Sequence, residues 1–161
     1  MYDRDKKGQP FEQQVISILR QFGLPCGSNP YSKTDDIRRE WYDIWVYSEN
    51  GLWLECKKDQ KSGVYQNICV ELHSLEVSKA WYFIYGFPFK GQLYIHAFER
   101  TELQRLVNQA ILTWEGRVWR YKRVQTGDQS DNISALIPLS LTHQYGQPFG
   151  KLLEQLTIKA A

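Results

Sequence analysis

The feature that most constrains this chain lies between residues 41 and 58, where two short apolar runs flank Glu49-Asn50-Gly51. Runs of this composition on either side of an Asn-Gly step read as a β-hairpin, with strands over 41–48 and 52–58. Side chains alternate between the faces of a strand, so the pairing register decides which residues share a face. Two registers are open. A two-residue Asn50-Gly51 loop sets Asp43 opposite Lys58 and mixes charge with core on both faces. A three-residue loop, with Gly51 in the left-handed conformation, pairs Ser48 with Leu52. It gathers Tyr42, Ile44, Val46, Leu52, Leu54 and Cys56 on one apolar face. The opposite face then carries Asp43 across from Lys57, with Glu55 two residues along. The pattern selects the second register.

That register places two carboxylates and an ammonium together. Neighbouring carboxylates repel, and a hard divalent cation such as Mg²⁺ relieves the repulsion while keeping coordination positions for water and phosphate. The bland alternative is an ion pair across an exposed hairpin, which is common and contributes little.

The remaining chain reads as one domain over residues 1–161, long enough to bury a substantial core. A helix over 10–22 places Phe11, Val15, Ile18, Leu19 and Phe22 on one stripe, with Pro10 in its first turn and Gly23 as its stop. Residues 24–40 read as a loop. Further strands are expected over 65–72, 81–87, 93–98, 118–124 and 135–139, with a loop over 127–132. Helices are expected over 75–80, 99–112 and 149–158, the second with Leu103, Leu106, Val107 and Ala110 on one face. The order is α-β-β-β-α-β with extensions, an α/β (α+β mixed) fold with a central mixed sheet flanked by helices.

Composition limits the functions available. The net charge of +2 excludes a scaffold that coats nucleic acid by charge alone. Cys26, Cys56 and Cys69 show no C-x-x-C spacing, and His73, His96 and His143 are scattered, which argues against a zinc site. The charged start of the chain is unlike a signal peptide, and no run approaches the roughly 18 apolar residues of a membrane span. The expected location is cytoplasmic. Gly127-Asp128-Gln129 carries no phosphate-loop pattern.

Tyr42-Asp43-Ile44 followed by Leu52-Trp53-Leu54-Glu55-Cys56-Lys57 resembles the D-x(n)-(D/E)-x-K core of the PD-(D/E)XK nuclease superfamily, whose members share a restriction-endonuclease-like αβββαβ core. Glu12 on the first helix and Asp59 fit subsets of that superfamily. Residues 65–71 resemble the T-G-N-x-x-x-E segment of phage and Holliday-junction-resolvase-like members, with Tyr65-Gln66 replacing Thr-Gly. Ser78 and Leu136-Ile137-Pro138 are similar to the same subset. Tyr42 replaces the proline of the motif.

The resemblance implies a Mg²⁺-dependent DNA endonuclease, with Mn²⁺ as a substitute, resolvase-like and of phage, plasmid or defence origin. It implies Asp43, Glu55 and the Cys56 backbone carbonyl as metal ligands, Lys57 as the catalytic lysine and Glu12 as a supporting or second-metal acid. Glu71 is equally readable as a sheet-edge carboxylate paired with Lys58 or Lys61. Resolvase-like members imply a homodimer, although no residue here marks an interface. Around the site, Lys58, Lys61, Tyr65, Asn67, Arg38 and Arg39, with Lys33, Tyr31 and Trp41, suit a surface that tracks a phosphate backbone. An ordinary solvated face is the competing reading. Arg117, Arg120, Lys122 and Arg123 form a second candidate patch, and His73 a lone candidate phosphate donor. The rival function is a catalytically inactive nuclease-fold module for nucleic-acid binding or assembly.

Overall fold

The computed structural model describes residues 5–48, 51–59, 67–113, 119–121, 132–142 and 144–160. Helix α1 (Asp5–Gln21) turns Phe11, Val15, Ile16 and Leu19 inward. It begins before Pro10, so that proline lies inside the helix rather than in its first turn and removes one donor without ending it. Gly23, at φ +78°, does end it: Leu24 N–H donates to Leu19 O and Gly23 N–H to Arg20 O, closing a Schellman motif. Phe22 falls beyond the buried stripe and is 48% exposed.

The segment read as a loop over 24–40 contains a strand, β1 (Cys26–Ser28), and a 3₁₀ turn (Ile37–Glu40). Three residues are too few for periodicity to reveal. β1 pairs antiparallel with β2 (Ile44–Val46), and β2 with β3 (Leu52–Lys58). β4 (Asn67–Glu71) and α2 (Leu72–Val77) precede β5 (Tyr82–Phe89), which runs parallel to β3. β6 (Gln92–Glu99) folds back on β5, and helix α3 (Arg100–Thr113) follows. After β7 (Trp119–Tyr121) and β8 (Asn132–Pro138) come α4 (Leu139–Thr142), β9 (Gln147–Pro148) and α5 (Phe149–Ala160).

The central sheet has the order β1-β2-β3-β5-β6-β9 and mixes parallel and antiparallel pairs. One face packs on α1 and α5 through Ile44, Val46, Leu54, Ile84 and Leu152. The other packs Phe83, Tyr85 and Phe98 against α3 and a second sheet ordered β4-β8-β7. The strand expected over 65–72 therefore forms, over Asn67–Glu71, outside the central sheet. Its Ile68 and Val70 need a second apolar layer, and β8 supplies the pairing edge. Asp59 joins the two sheets. Its N–H donates to Gly86 O (2.9 Å) and its Oδ2 accepts from Cys69 N–H (2.8 Å).

The hairpin register differs from both expectations. Val46 pairs with Leu52, so five residues separate the paired strands and Asp43 comes level with Glu55 rather than Lys57. The slip is two residues, and an even slip leaves each side chain on its expected face. Ile44, Val46, Leu52 and Leu54 are buried as the apolar face requires. Tyr42 is the exception. The ladder ends at Ile44, and the Tyr42 ring stacks on Trp53 at 4.4 Å on the opposite side. Gly51 adopts φ +63°, as its left-handed role demands.

Gly86 marks the tightest contact between α1 and the sheet, since a Cβ there would lie 2.4 Å from the Phe11 ring. Gly86→Ala is expected to lower the unfolding free energy by about 1–3 kcal/mol through overpacking. Gly150→Ala, on α5 with nothing within 4 Å of its Cβ, is expected to leave stability unchanged or raise it. Urea unfolding of both variants checks the contrast.

Candidate active site

Asp43 is fixed from several directions at the end of β2. Its N–H donates to Leu54 O (2.9 Å), its carbonyl accepts from Asn29 N–H (2.8 Å), and its Oδ2 accepts from Cys56 N–H (2.6 Å). The side chain thus substitutes for the ladder bond that the departing strand no longer offers. Asn29, 2% exposed, pins the approach to this point. Its Nδ2 donates to Arg38 O and Tyr42 O, and its Oδ1 accepts from Tyr31 N–H.

Glu55 and Lys57 follow on β3, on the face that carries Phe83 and Tyr85 on the neighbouring strand. Lys57 Nζ lies 3.1 Å from Glu55 Oε1 and donates to Ser74 Oγ (3.2 Å), which donates in turn to Glu71 Oε2 (3.2 Å). Ser78 Oγ lies 3.4 Å from Glu55 Oε2 and 3.1 Å from Trp41 O, sharing one proton between them. Glu71 therefore reaches Lys57 through Ser74. Ser74 and Ser28 were not singled out from the sequence. Serine spacing carries no signal of its own, and both are recruited by contacts between separate elements.

Burial governs the electrostatics. Desolvation, then the Asp43 charge, pushes Glu55 from 4.5 to about 7, against the pull of Lys57 and Ser78. Asp43 is raised by burial, against the charge of Lys57 and the Cys56 N–H. For Lys57, burial favours the neutral amine, but Glu55, Asp43 and Glu71 outweigh it and the group is raised, so it stays an ammonium at neutral pH. Burial also pushes the Cys56 thiol well up, leaving it a small inert hydrophobe against the first core.

Glu12 approaches from α1, on the far side of the sheet from Glu55. Ser28 Oγ donates to its Oε1 (2.7 Å), and it is raised chiefly by burial, with Asp43 adding to the effect. Among the described residues no three His, Cys, Asp or Glu side chains converge as a metal-binding group. The donors that the resemblance implies, two carboxylates and the Cys56 carbonyl, are hard oxygens of the kind Mg²⁺ takes. Two neighbouring acids, raised by desolvation and in the case of Glu55 by its neighbour's charge, are also the electrostatic condition that a dication relieves.

Of the surface residues expected to hold a backbone, Lys58 is exposed beyond the site and Asn67 opens β4. Arg38 is largely committed within the protein. It pairs with Asp36 Oδ2 (2.6 Å), donates to Tyr31 Oη (2.7 Å) and lies 3.8 Å over the Tyr31 ring. Arg39 pairs with Asp35 at 3.5 Å. His73 is exposed on α2. Lys61, Tyr65, Arg117, Lys122 and Arg123, and the side chains of Arg120 and Ala110, lie outside the described residues.

No protein-family model matches the sequence, and no curated protein matches it. Solved structures do match, and the fold they share with this chain is one found in nucleases. Hjc, a Holliday junction resolvase from the archaeal hyperthermophile Archaeoglobus fulgidus, superposes with a TM-score of 0.52 at 11% identity, over 92% of this chain and 96% of its own. D212, a nuclease from a fusselovirus, gives 0.50 at 11% identity, over 98% of this chain and 92% of its own. At these identities the shared property is the fold. It bears out the α/β architecture and the resolvase-like resemblance read from the sequence.

The raised Glu55 has a consequence for stability. Between pH 4.5 and about 7 the folded chain retains a proton at Glu55 that the unfolded chain has lost. This contribution is complete below pH 4.5 and is lost as pH rises through 7. Glu55→Gln is therefore expected to melt several degrees above the wild type at pH 8 without divalent metal, and to converge with it near pH 4.5. Thermal melts across that range check this. A variant less stable than the wild type at pH 8 would contradict the assigned electrostatics.

Proposed function

We propose that this chain is a metal-dependent endonuclease that hydrolyses DNA phosphodiester bonds, structure-selective in the manner of a resolvase and of phage, plasmid or defence origin. The observation that carries the reading is the pair of half-buried Asp43 and buried Glu55, level with each other across two strands, with the Lys57 ammonium beside them. The shared fold with a Holliday junction resolvase and a viral nuclease supports it.

In this reading Asp43, Glu55 and the Cys56 carbonyl would hold Mg²⁺, with Mn²⁺ as a substitute. When bound, the ion supplies Lewis acidity toward a phosphate oxygen and lowers the pKa of a coordinated water. The protein's own groups do the rest. Lys57, held charged by three carboxylates, serves as an electrostatic anchor for negative charge on the attacked phosphate. Ser74 and Ser78 position Lys57 and Glu55 through the contacts described above. Glu12, on the α1 side, would serve as a supporting or second-metal acid near Asp43, whose charge adds to the raising of its own carboxyl. Lys58 and Asn67 border the path of the backbone. The reading carries with it a cytoplasmic location and a homodimer, since cutting both strands of a junction takes two sites. No described helix is long and apolar enough to cross a membrane.

One observation favours a second reading. Lys57 and Glu55 already neutralise each other at 3.1 Å, an arrangement that also suits a nuclease-fold module that binds nucleic acid or assembles without cutting. Incubation of single-stranded, duplex, flap and four-way-junction DNA with Mg²⁺ or Mn²⁺ separates the two. Cleavage is expected, with a loss of at least a hundredfold in Glu55→Gln and Lys57→Ala while both retain the native circular dichroism. Uncut substrates under every metal, with DNA still bound, would establish the binding module instead.

A further inference from the structure

The face that carries Asp43 and Glu55 continues past them into a row of tryptophans. Trp45 pairs with Trp53 in the β2–β3 register, and Trp81 N–H donates to Trp53 O (2.8 Å), extending the β3–β5 register by one residue. The three indoles thus occupy one row across three adjacent strands, which spans about 10 Å at the usual strand spacing. Alternation puts them opposite Ile44, Leu54 and Tyr82, which pack on the α1 side.

The outer rings are uncovered, Trp45 at 37% and Trp81 at 60% exposure. Gly27, paired with Trp45, makes room for its indole, since a Cβ there would meet the ring at 3.0 Å. The middle ring is held in place by Tyr42 stacked at 4.4 Å and Trp41 at 6.1 Å. A cation borders the row: Lys79 Nζ lies 3.9 Å over the Trp41 ring.

We propose that this row is a stacking platform for unpaired bases of a DNA strand whose scissile phosphate lies at Asp43 and Glu55. The spacing fits a nucleic-acid strand. Trp45 precedes no gap in the ladder: it is two residues from Asp43, as Trp53 is from Glu55, a displacement of about 6.8 Å along the strands. A stacked strand rises about 3.4 Å per nucleotide along its axis, so the platform engages bases about two nucleotides from the cut. Flat, exposed indoles beside the Lys79 ammonium suit bases of any sequence, because each base offers a π face. Paired bases inside a duplex do not offer that face, so the platform selects single-stranded, flapped or branched DNA over blunt duplex. The position of the cut rests on the nuclease reading above, whereas the binding preference does not.

The test is binding of a labelled (dT)12 oligonucleotide and a blunt duplex of the same length to the full chain in EDTA, by fluorescence anisotropy. Trp45→Ala and Trp81→Ala are each expected to weaken (dT)12 binding by about tenfold, and Trp45→Phe and Trp81→Phe to restore most of it. Duplex binding is expected to change less than threefold. Equal losses on both DNAs, or none on (dT)12, overturn the proposal. So does a wild-type dimer in sedimentation that the alanine variants dissociate, which would make the row an interface between copies. Binding through these rings without cleavage of any junction under Mg²⁺ supports the platform and removes the nuclease reading. Cleavage with (dT)12 binding unaffected by the variants does the reverse.

Discussion

Glu55 and Lys57 are set into an interior strand, on a face whose neighbours include Phe83 and Tyr85. Charges in such a place are costly unless every partner is well placed. Much of the surrounding structure can be understood as meeting that demand. Ser78 reaches from the turn after α2, Ser74 from α2 itself, and Asp43 is clamped through its backbone and one oxygen by β1 and β3. The result is satisfied but not relaxed, because two acids remain above their ordinary range. A protein seeking stability alone would place apolar residues here. The retained strain is the sort found where a cation or a phosphate is to be received.

The two cores explain how this arrangement is held. The first seals α1 and α5 against one side of the central sheet, fixing β2 and β3 laterally. The second fills the other side only over β5 and β6, beneath α3 and the small sheet. On the part of that face nearest β1 and β2, the carboxylate pair and the tryptophan row lie side by side. Asp59 keeps the small sheet in position by joining β5 to β4.

Much of this was legible along the chain. Gly23 and Gly51 stand at the positive φ values their places required, and the helical stripes of α1 and α3 are buried through Val15, Leu19, Leu103 and Leu106. β1 escaped because three residues have no period to detect. β4 was visible as a strand but not as a member of a different sheet, since alternation identifies a half-buried strand without naming its partner. Ser28 and Ser74 were invisible for a similar reason: their roles come from elements that meet only in the folded chain.

The acid pair and its lysine show where the division falls. Period-two alternation by itself assigned Asp43, Glu55 and Lys57 to one face and Ile44, Val46, Leu52 and Leu54 to the other, and the fold keeps that assignment. Which residues stand opposite each other was decided only in three dimensions. The pairing of β2 with both β1 and β3 slides the hairpin by two residues and brings Asp43 level with Glu55. An even slip costs nothing in burial, so the pattern could not choose between the two registers. Packing against the rest of the sheet could.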